Sequence, residues 1–354
     1  MTQVQSIQKF AHPWFLLVFL TCTVTLYGCE KEGPEKKFQN YLGRLATTLD
    51  ADTPTVPIPL IAKPPKISEL RYTLEPGNLH ALDFLALSGC KIQITIGKRN
   101  SSLGKFAKDS QRLLLELEYL LHAPECIRFM RKNGKTELAE NLEMAYQLKK
   151  RQLPKLIFNA TLANSEFRSF WKKPAALADY PAQTNSKVLQ SLGAITKNTE
   201  RWLSGDYRAD NATFEIHLSE VAMGDGGALW LALGIQGGAL NAGNILLEQS
   251  LARGPLCSKN YRSPAADILP RVVHKYFITQ IQPGAAALGK RYHELIPALR
   301  ALENLLQDDL PKEYLRMQEE RNKAMSALTE IPRAHVQAIK KVLRTCQNKS
   351  PLNA

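Results

Sequence analysis

The sequence lacks compositional bias. Its 20 glycines and 20 prolines in 354 residues are near average usage, which excludes collagen-like, disordered and low-complexity classes. It has no internal repeat and no Pro/Gly/Ser linker past residue 77, so a single domain is the simplest arrangement. No two of its six cysteines form a CxxC pair, which disfavours zinc and thioredoxin-like chemistry. GxSxG is missing, and with it the nucleophile elbow of α/β-hydrolases.

Other catalytic motifs are present only in part. Gly97-Lys98-Arg99-Asn100-Ser101-Ser102-Leu103-Gly104-Lys105 has the flavour of a phosphate loop, but its glycines are too far apart and Phe106 stands where Ser or Thr should hold magnesium. Its basic residues lead into a helix start, where an anion could still dock. Ser102-Leu103-Gly104-Lys105 matches SxxK, the nucleophile motif of penicillin-binding proteins, and Ser258-Lys259-Asn260 offers an SxN. The Lys-Thr-Gly element and the sheet-forming sequence of such a fold do not follow. His293-Glu294 opens a zinc motif that Pro297 closes off. None of His80, His122, His217, His274 and His335 has a second histidine three or four residues on. Glu116 and Glu118 lie two apart on a helix and face different ways, so they are not an acid/base pair. Gly224-Asp225-Gly226-Gly227 reads as a turn before an apolar helix. No metal or cofactor is expected.

The N-terminus carries an address. Residues 14–26 form an apolar run without a charge, too short and wrongly flanked for a transmembrane helix and of the length of a secretory h-region. It ends in Leu26-Tyr27-Gly28-Cys29, which resembles the lipobox of bacterial lipoproteins. That resemblance implies cleavage after Gly28 and lipidation of the Cys29 sulfur, with residues 1–28 as signal peptide, 29–36 as a charged tether and 37–354 as the body. Glu30 leaves inner-membrane retention open; the expected location is the inner leaflet of the outer membrane, facing the periplasm. Cys22 lies in the leader, so Cys90, Cys126, Cys257 and Cys346 remain, an even number in an oxidising compartment. Of the three pairings open to them, sequence proximity favours Cys90 with Cys126 and Cys257 with Cys346.

The body reads as mainly α, one helical domain with at most one short hairpin. Phe38, Tyr41, Leu42, Leu45 and Leu49 recur at helical spacing. Prolines 54, 57, 59, 64 and 65 then forbid helix, and Val56, Ile58 and Leu60 alternate along a surface strap. Residues 101–122 place Leu103, Phe106, Ala107, Ser110, Leu113 and Leu117 on one face, capped by Asn100 or Ser101. Residues 137–151 carry glutamates early and Lys149, Lys150 and Arg151 late, an order that suits the helix dipole. Val188, Leu192, Ile195, Thr199 and Trp202 mark a further helix, and Leu288, Tyr292, Leu295, Leu299, Leu302 and Leu306 step like a coiled-coil seam. Pro311 and Pro332 stand where two last helices would begin. Two stretches alternate like strands, Ile92, Ile94, Ile96 and Phe214, Ile216, Leu218, and each reads as a short hairpin piece or as helix. Residues 226–247 hold no charge and are long enough to span a membrane, but Gln236, Asn241 and Asn244 interrupt them, so a central core helix is the better reading. An alternative to one domain is a division into lobes near 172–185, where Lys172, Lys173, Pro174 and Pro181 interrupt the pattern.

Lys+Arg 46 against Asp+Glu 33 gives +13, or +12 once residues 1–28 and their one lysine are removed. In an envelope this favours anionic lipids or acidic proteins over nucleic acid. Read along the chain, the cations are scattered, which points to a solvated surface.

Several passages together resemble a family of uncharacterised Gram-negative lipoproteins known only as a domain of unknown function. They are Cys29, Leu82-Asp83-Phe84-Leu85 before Cys90, the Arg99 to Lys105 stretch quoted above, Ser110-Gln111-Arg112-Leu113, Trp202-Leu203-Ser204-Gly205-Asp206-Tyr207, and His335-Val336 before Cys346. The resemblance implies an envelope location and no catalytic residue. A non-enzymatic, lipid-anchored binding or scaffolding protein is therefore the leading expectation. The alternatives are an envelope hydrolase using Ser102 and Lys105 or Asp225, and a lipid-handling protein with an apolar cavity beside residues 226–247.

Overall fold

The computed structural model describes residues 33–57, 59, 64–75, 81–182, 184 and 187–346. The leader, Cys29, Ile58 and Leu60 lie outside them. The fold is mainly α. Its helices are α1 (Pro34–Thr48), α2 (Ile67–Leu70), α3 (Ala81–Ala86), α4 (Ile92–Asn100), α5 (Ser102–Lys105), α6 (Asp109–Lys132), α7 (Thr136–Ala160), α8 (Ser165–Phe170), α9 (Lys187–Leu203), α10 (Asn211–Ala222), α11 (Gly226–Arg253), α12 (Ala265–Val272), α13 (Gln282–Leu305) and α14 (Lys312–Arg344). Residues Val273–Ile281 are wound as a π-helix between α12 and α13. The hairpin pairs Cys257–Ser258 with Tyr261–Arg262, antiparallel, Cys257 opposite Arg262.

Local chemistry sets several helix starts. The Asn164 side chain accepts from the Phe167 amide and Asp210 from the Thr213 amide, each satisfying an otherwise unpaired donor. Pro34 opens α1, where its missing N–H costs nothing. From Gly226 to Leu247 α11 is buried on most of its sides, as the mainly apolar sequence of that stretch requires. Its small residues admit neighbours closely: a Cβ on Gly237 would lie 2.5 Å from Leu328 Cδ2 of α14. Among the described residues no helix is long and apolar enough to cross a membrane.

The core forms three buried clusters, two of which take residues from α11. The first joins Leu113, Phe158, Phe170, Trp171 and Leu177 to Val188, Trp202, Leu295 and Tyr314. It takes residues from both sides of 172–185. The second packs α1 (Tyr41, Leu42, Leu45) against α11, α12, Phe277 and the end of α14. The third is built between Leu87 and Ala145. The structure joins Cys90 to Cys126 in the third cluster and Cys257 to Cys346 in the second.

Several sequence expectations are corrected. Residues 92–96 and 214–218 are helical, in α4 and α10. The buried positions are Ile92 with Ile96, and Phe214 with Leu218, an i, i+4 spacing, while Ile94 and Ile216 point to solvent. The hairpin lies elsewhere. Residues 101–122 are not one helix: α5 ends at Lys105 and α6 begins at Asp109, leaving Leu103 and Phe106 exposed. The helix expected at 137–151 runs on to Ala160, so Lys149 to Arg151 lie well inside it, not at its end. Pro332 starts no helix. It lies inside the 33-residue α14, whose Tyr314 and Met325 before it and His335, Ile339 and Val342 after it are all buried. Packing on both sides of the proline outweighs the roughly 3 kcal/mol that its missing N–H and ring clash cost.

Candidate anion-binding cleft

A cleft of about 680 Å³ opens where the extended residues 71–75 cross α6 and α7. Asn159 of α7 holds that extended segment from both sides, its Oδ1 accepting from the Tyr72 amide and its Nδ2 donating to the Tyr72 carbonyl, each at 2.9 Å. The Tyr72 hydroxyl donates to the Asp309 carbonyl at 2.8 Å. The cleft wall carries five cations, Arg71, Arg99, Lys105, Arg112 and Lys149, against three carboxylates, Glu75, Asp109 and Glu116.

Two of those carboxylates are occupied. Arg71 donates to Asp109 at 2.6 Å, at the first residue of α6, where an acid suits the helix dipole. Glu116 is buried and held by the Lys149 ammonium and by Arg99 at 3.3 Å. The Lys149 Nζ also lies 5.1 Å from the Tyr119 ring centroid. Burial pushes the Lys149 ammonium below the ordinary lysine range, and the Glu116 carboxylate pulls it back up. The Glu116–Lys149 pair is thus a fixed ionic brace between α6 and α7. Among the described residues no carboxylate pairs with Lys105 or Arg112, and Arg112 donates to the Lys105 carbonyl at 3.0 Å. These two cations are open to an external anion.

The lip of the cleft is α5. Ser101 caps it, its Oγ accepting from the Gly104 amide at 3.1 Å and donating to the Lys98 carbonyl at 2.7 Å. Gly104 packs directly on the end of α4: a Cβ there would lie 2.2 Å from the Lys98 carbonyl oxygen. Ser102 and Lys105 both face solvent on this one-turn helix, with no hydrogen bond between them. Ser110 and Gln111 turn the other way, onto Glu215 of α10 at 2.6 and 2.8 Å. Glu118 takes Lys98 at 2.9 Å, away from Glu116.

Three further polar groups are buried within the helices. Arg291 grips Asp225 through two donors at 2.9 and 2.5 Å, and the Tyr180 hydroxyl donates to the same carboxylate at 2.7 Å. Asp225 is thereby held at the start of α11. Arg321 meets Glu303 with two bonds of 2.8 Å, fully buried, and Tyr314 and Gln318 donate to the same carboxylate. His335 lies between Tyr41 and Asn244: its Nδ1–H donates to Asn244 Oδ1 at 2.7 Å and its Nε2 accepts from the Tyr41 hydroxyl at 2.8 Å. Burial lowers the His335 pKa from 6.5 to about 4, so the ring stays neutral. Beside α11 a second groove of about 760 Å³ is bordered by the polar Asp50, Asp52, Asn241, Gln249 and Arg253 and by the apolar Pro54, Pro57, Ile245 and Leu246. Among the described residues no cluster of His, Cys, Asp or Glu could hold a metal ion.

Sequence reasoning missed these ion pairs, although a signal was present. Lys149 continues the buried stripe of Leu138, Leu142, Ala145 and Leu153, and Arg321 continues that of Tyr314, Gln318 and Met325. A charge on an apolar stripe needs a buried partner.

A family model described as protein of unknown function (DUF3080) matches residues 38–350. No curated protein matches the chain, and no solved structure does.

Proposed function

The chain belongs to this family of unknown function, DUF3080, and from that premise we propose that it is a lipid-anchored lipoprotein of a Gram-negative envelope. In this reading Cys29 carries the acyl chains, residues 1–28 are removed, and the body faces the periplasm from the inner leaflet of the outer membrane. The body works by binding, and its cleft takes an anionic envelope component through Lys105 and Arg112. The observation that supports the address most strongly is the pairing of Cys90 with Cys126 and Cys257 with Cys346. Two disulfides suit an oxidising compartment. They leave Cys29 as the one cysteine past the apolar leader without an assigned use. The binding role is supported by the surplus of cations in the cleft and by the ionic brace that keeps its walls in place.

Expression of the full chain with Cys29→Ser tests the anchor. The wild-type chain should sediment with membranes and carry a mass increment of acyl groups at the N-terminus. The variant should lose both; a variant that keeps the increment refutes the lipidation site. Crosslinking in intact cells tests the cleft. Lys105→Glu with Arg112→Glu should weaken capture of an anionic neighbour, and unchanged capture refutes the cleft as the binding surface.

A further inference from the structure

The geometry points to a second attachment, and we propose that the turn formed by residues 102–106 is a tip that enters the face of a bilayer rich in anionic phospholipid. This deepens the binding reading of the cleft and is independent of the anchor at Cys29.

Leu103 is 87% exposed and Phe106 89%, the highest values among the exposed large hydrophobic residues of the described chain. Isolated surface apolar side chains are ordinary, but these two stand three residues apart on a single turn. That turn is built to hold them out. Ser101 closes its start, Gly104 presses its inner side against the carbonyls of Lys98 and Arg99, and Arg112 fastens the Lys105 carbonyl at its end.

Charge completes the pattern. Residues 98–112 contain Lys98, Arg99, Lys105, Lys108 and Arg112 against the single acid Asp109. Lys98 and Arg99 are engaged by Glu118 and Glu116, and Asp109 by Arg71. Among the described residues Lys105, Lys108 and Arg112 have no carboxylate partner, so a basic collar surrounds the apolar pair. An apolar tip in a basic collar suits the headgroup boundary of an anionic membrane, where side chains enter by roughly 5–10 Å and cations meet phosphates. A protein partner fits less well. One four-residue helix offers far less than the roughly 800 Å² per side that a stable interface buries, whereas a bilayer accepts a small projecting tip.

The test uses the full chain carrying Phe106→Trp, mixed with vesicles of phosphatidylglycerol and phosphatidylethanolamine, or of phosphatidylcholine alone. Emission is read as the difference from the wild-type chain, whose body keeps Trp171, Trp202 and Trp230. On the anionic vesicles the introduced indole should shift to the blue and be quenched by brominated acyl chains. On phosphatidylcholine, or at high salt, the shift should be lost. Adding Lys105→Gln with Lys108→Gln should weaken tip partitioning roughly 30-fold, since each cation near an anionic surface contributes a factor of about five. Leu103→Trp, with Phe106 kept, should report the same depth. Emission that stays as in water on both vesicle types overturns the proposal, as does equal insertion into both. A shift that requires an added envelope protein overturns it and assigns the tip to a protein partner. Sedimentation with the phosphatidylcholine vesicles, which the tip does not enter, reports the Cys29 anchor separately, so failure of the anchor and failure of the tip are distinguishable.

Discussion

Around Tyr41 and His335 the core is assembled from stretches far apart in sequence: α1, the α11 to π-helix region and the last turns of α14. Around Ile92 and Ile127 it comes from one stretch between Leu87 and Ala145. Each cluster is closed by one disulfide, with a separation of 89 residues in the first and 36 in the second. They differ in what else they carry. The terminal cluster buries a neutral histidine in a complete hydrogen-bond relay and edge-on ring contacts with Tyr41 and Phe277. The stretch of the local cluster also holds Ile94, Leu103, Phe106, Leu121, Phe129 and Met144, six of the 13 exposed large hydrophobics of the described chain. Long-range closure ties the first into the fold. The second closes on itself, and its surroundings are left with apolar surface for other contacts.

The largest expected effect comes from opening the disulfides. Loop entropy assigns about 4.5 kcal/mol to the Cys257–Cys346 bridge and about 4 kcal/mol to Cys90–Cys126, the longer loop having the larger value. The totals are close, so location separates them. Cys257→Ala with Cys346→Ala should raise amide exchange in α1, α12 and the end of α14. Cys90→Ala with Cys126→Ala should raise it in α4 and the facing parts of α6 and α7, leaving α1 protected. Uniform loss of protection in both variants would dissolve the distinction between the clusters.

Acid should divide them next. His335 titrates at 6.5 when free and at about 4 in the fold. Between these values the unfolded chain binds a proton that the folded chain refuses, so stability rises with pH across that window. The His335 contribution is fully present above about pH 6.5 and falls as pH drops towards 4, by about 3 kcal/mol in all. The groups nearest the ring, Tyr41, Asn244 and Phe277, offer no carboxylate to hold the charged form. Exchange measured at pH 7 and pH 4.5 should therefore loosen the terminal cluster first. The local cluster, with no buried histidine among its described residues, should hold across the same range.

The two clusters also differ in how legible they were. The spacing of Phe38, Tyr41, Leu42 and Leu45 announces α1 in the terminal cluster, as the seam from Leu288 to Leu306 announces α13 in the first cluster of the fold, because long amphipathic helices repeat the signal many times. Near the local cluster the signal misleads. Three alternating isoleucines suit a strand in type and spacing, and only burial tells that Ile94 faces water. Leu103 and Phe106 keep the three- and four-residue spacing of Ser110 and Leu113, so periodicity runs unbroken over a real interruption. What breaks the chain there is the Ser101 cap and the backbone contact at Gly104, neither of which leaves a hydrophobic trace. The cleft was illegible for another reason. Arg71 lies far along the chain from Arg112 and Lys149, so cations that look scattered in sequence converge only when residues 71–75 cross α6 and α7.

Gly104→Ala probes that interruption. The added methyl would meet the Lys98 and Arg99 carbonyls at 2.2 and 2.4 Å, and backbone cannot step aside as a side chain end can. A loss of about 1–3 kcal/mol is expected, confined to α4 and α5. Denaturant unfolding measures the total, and exchange shows whether it is local. A loss spread through α11 and α14 would mean that the turn is part of the main core.

The smallest effect is the most informative about the tip. Phe106→Ser removes an aromatic ring that is 89% exposed. Folding buries almost none of it, so the thermal midpoint should move by no more than the equivalent of about 0.5 kcal/mol. The same change at Phe158, which is fully buried, belongs to the class that costs about 3–5 kcal/mol. A phenylalanine that contributes nothing to folding, set on a glycine-backed turn among three unpaired cations, is free to meet a membrane. A large loss of stability in Phe106→Ser would show instead that the ring is covered by the protein itself, and the tip would then have nothing to offer a bilayer.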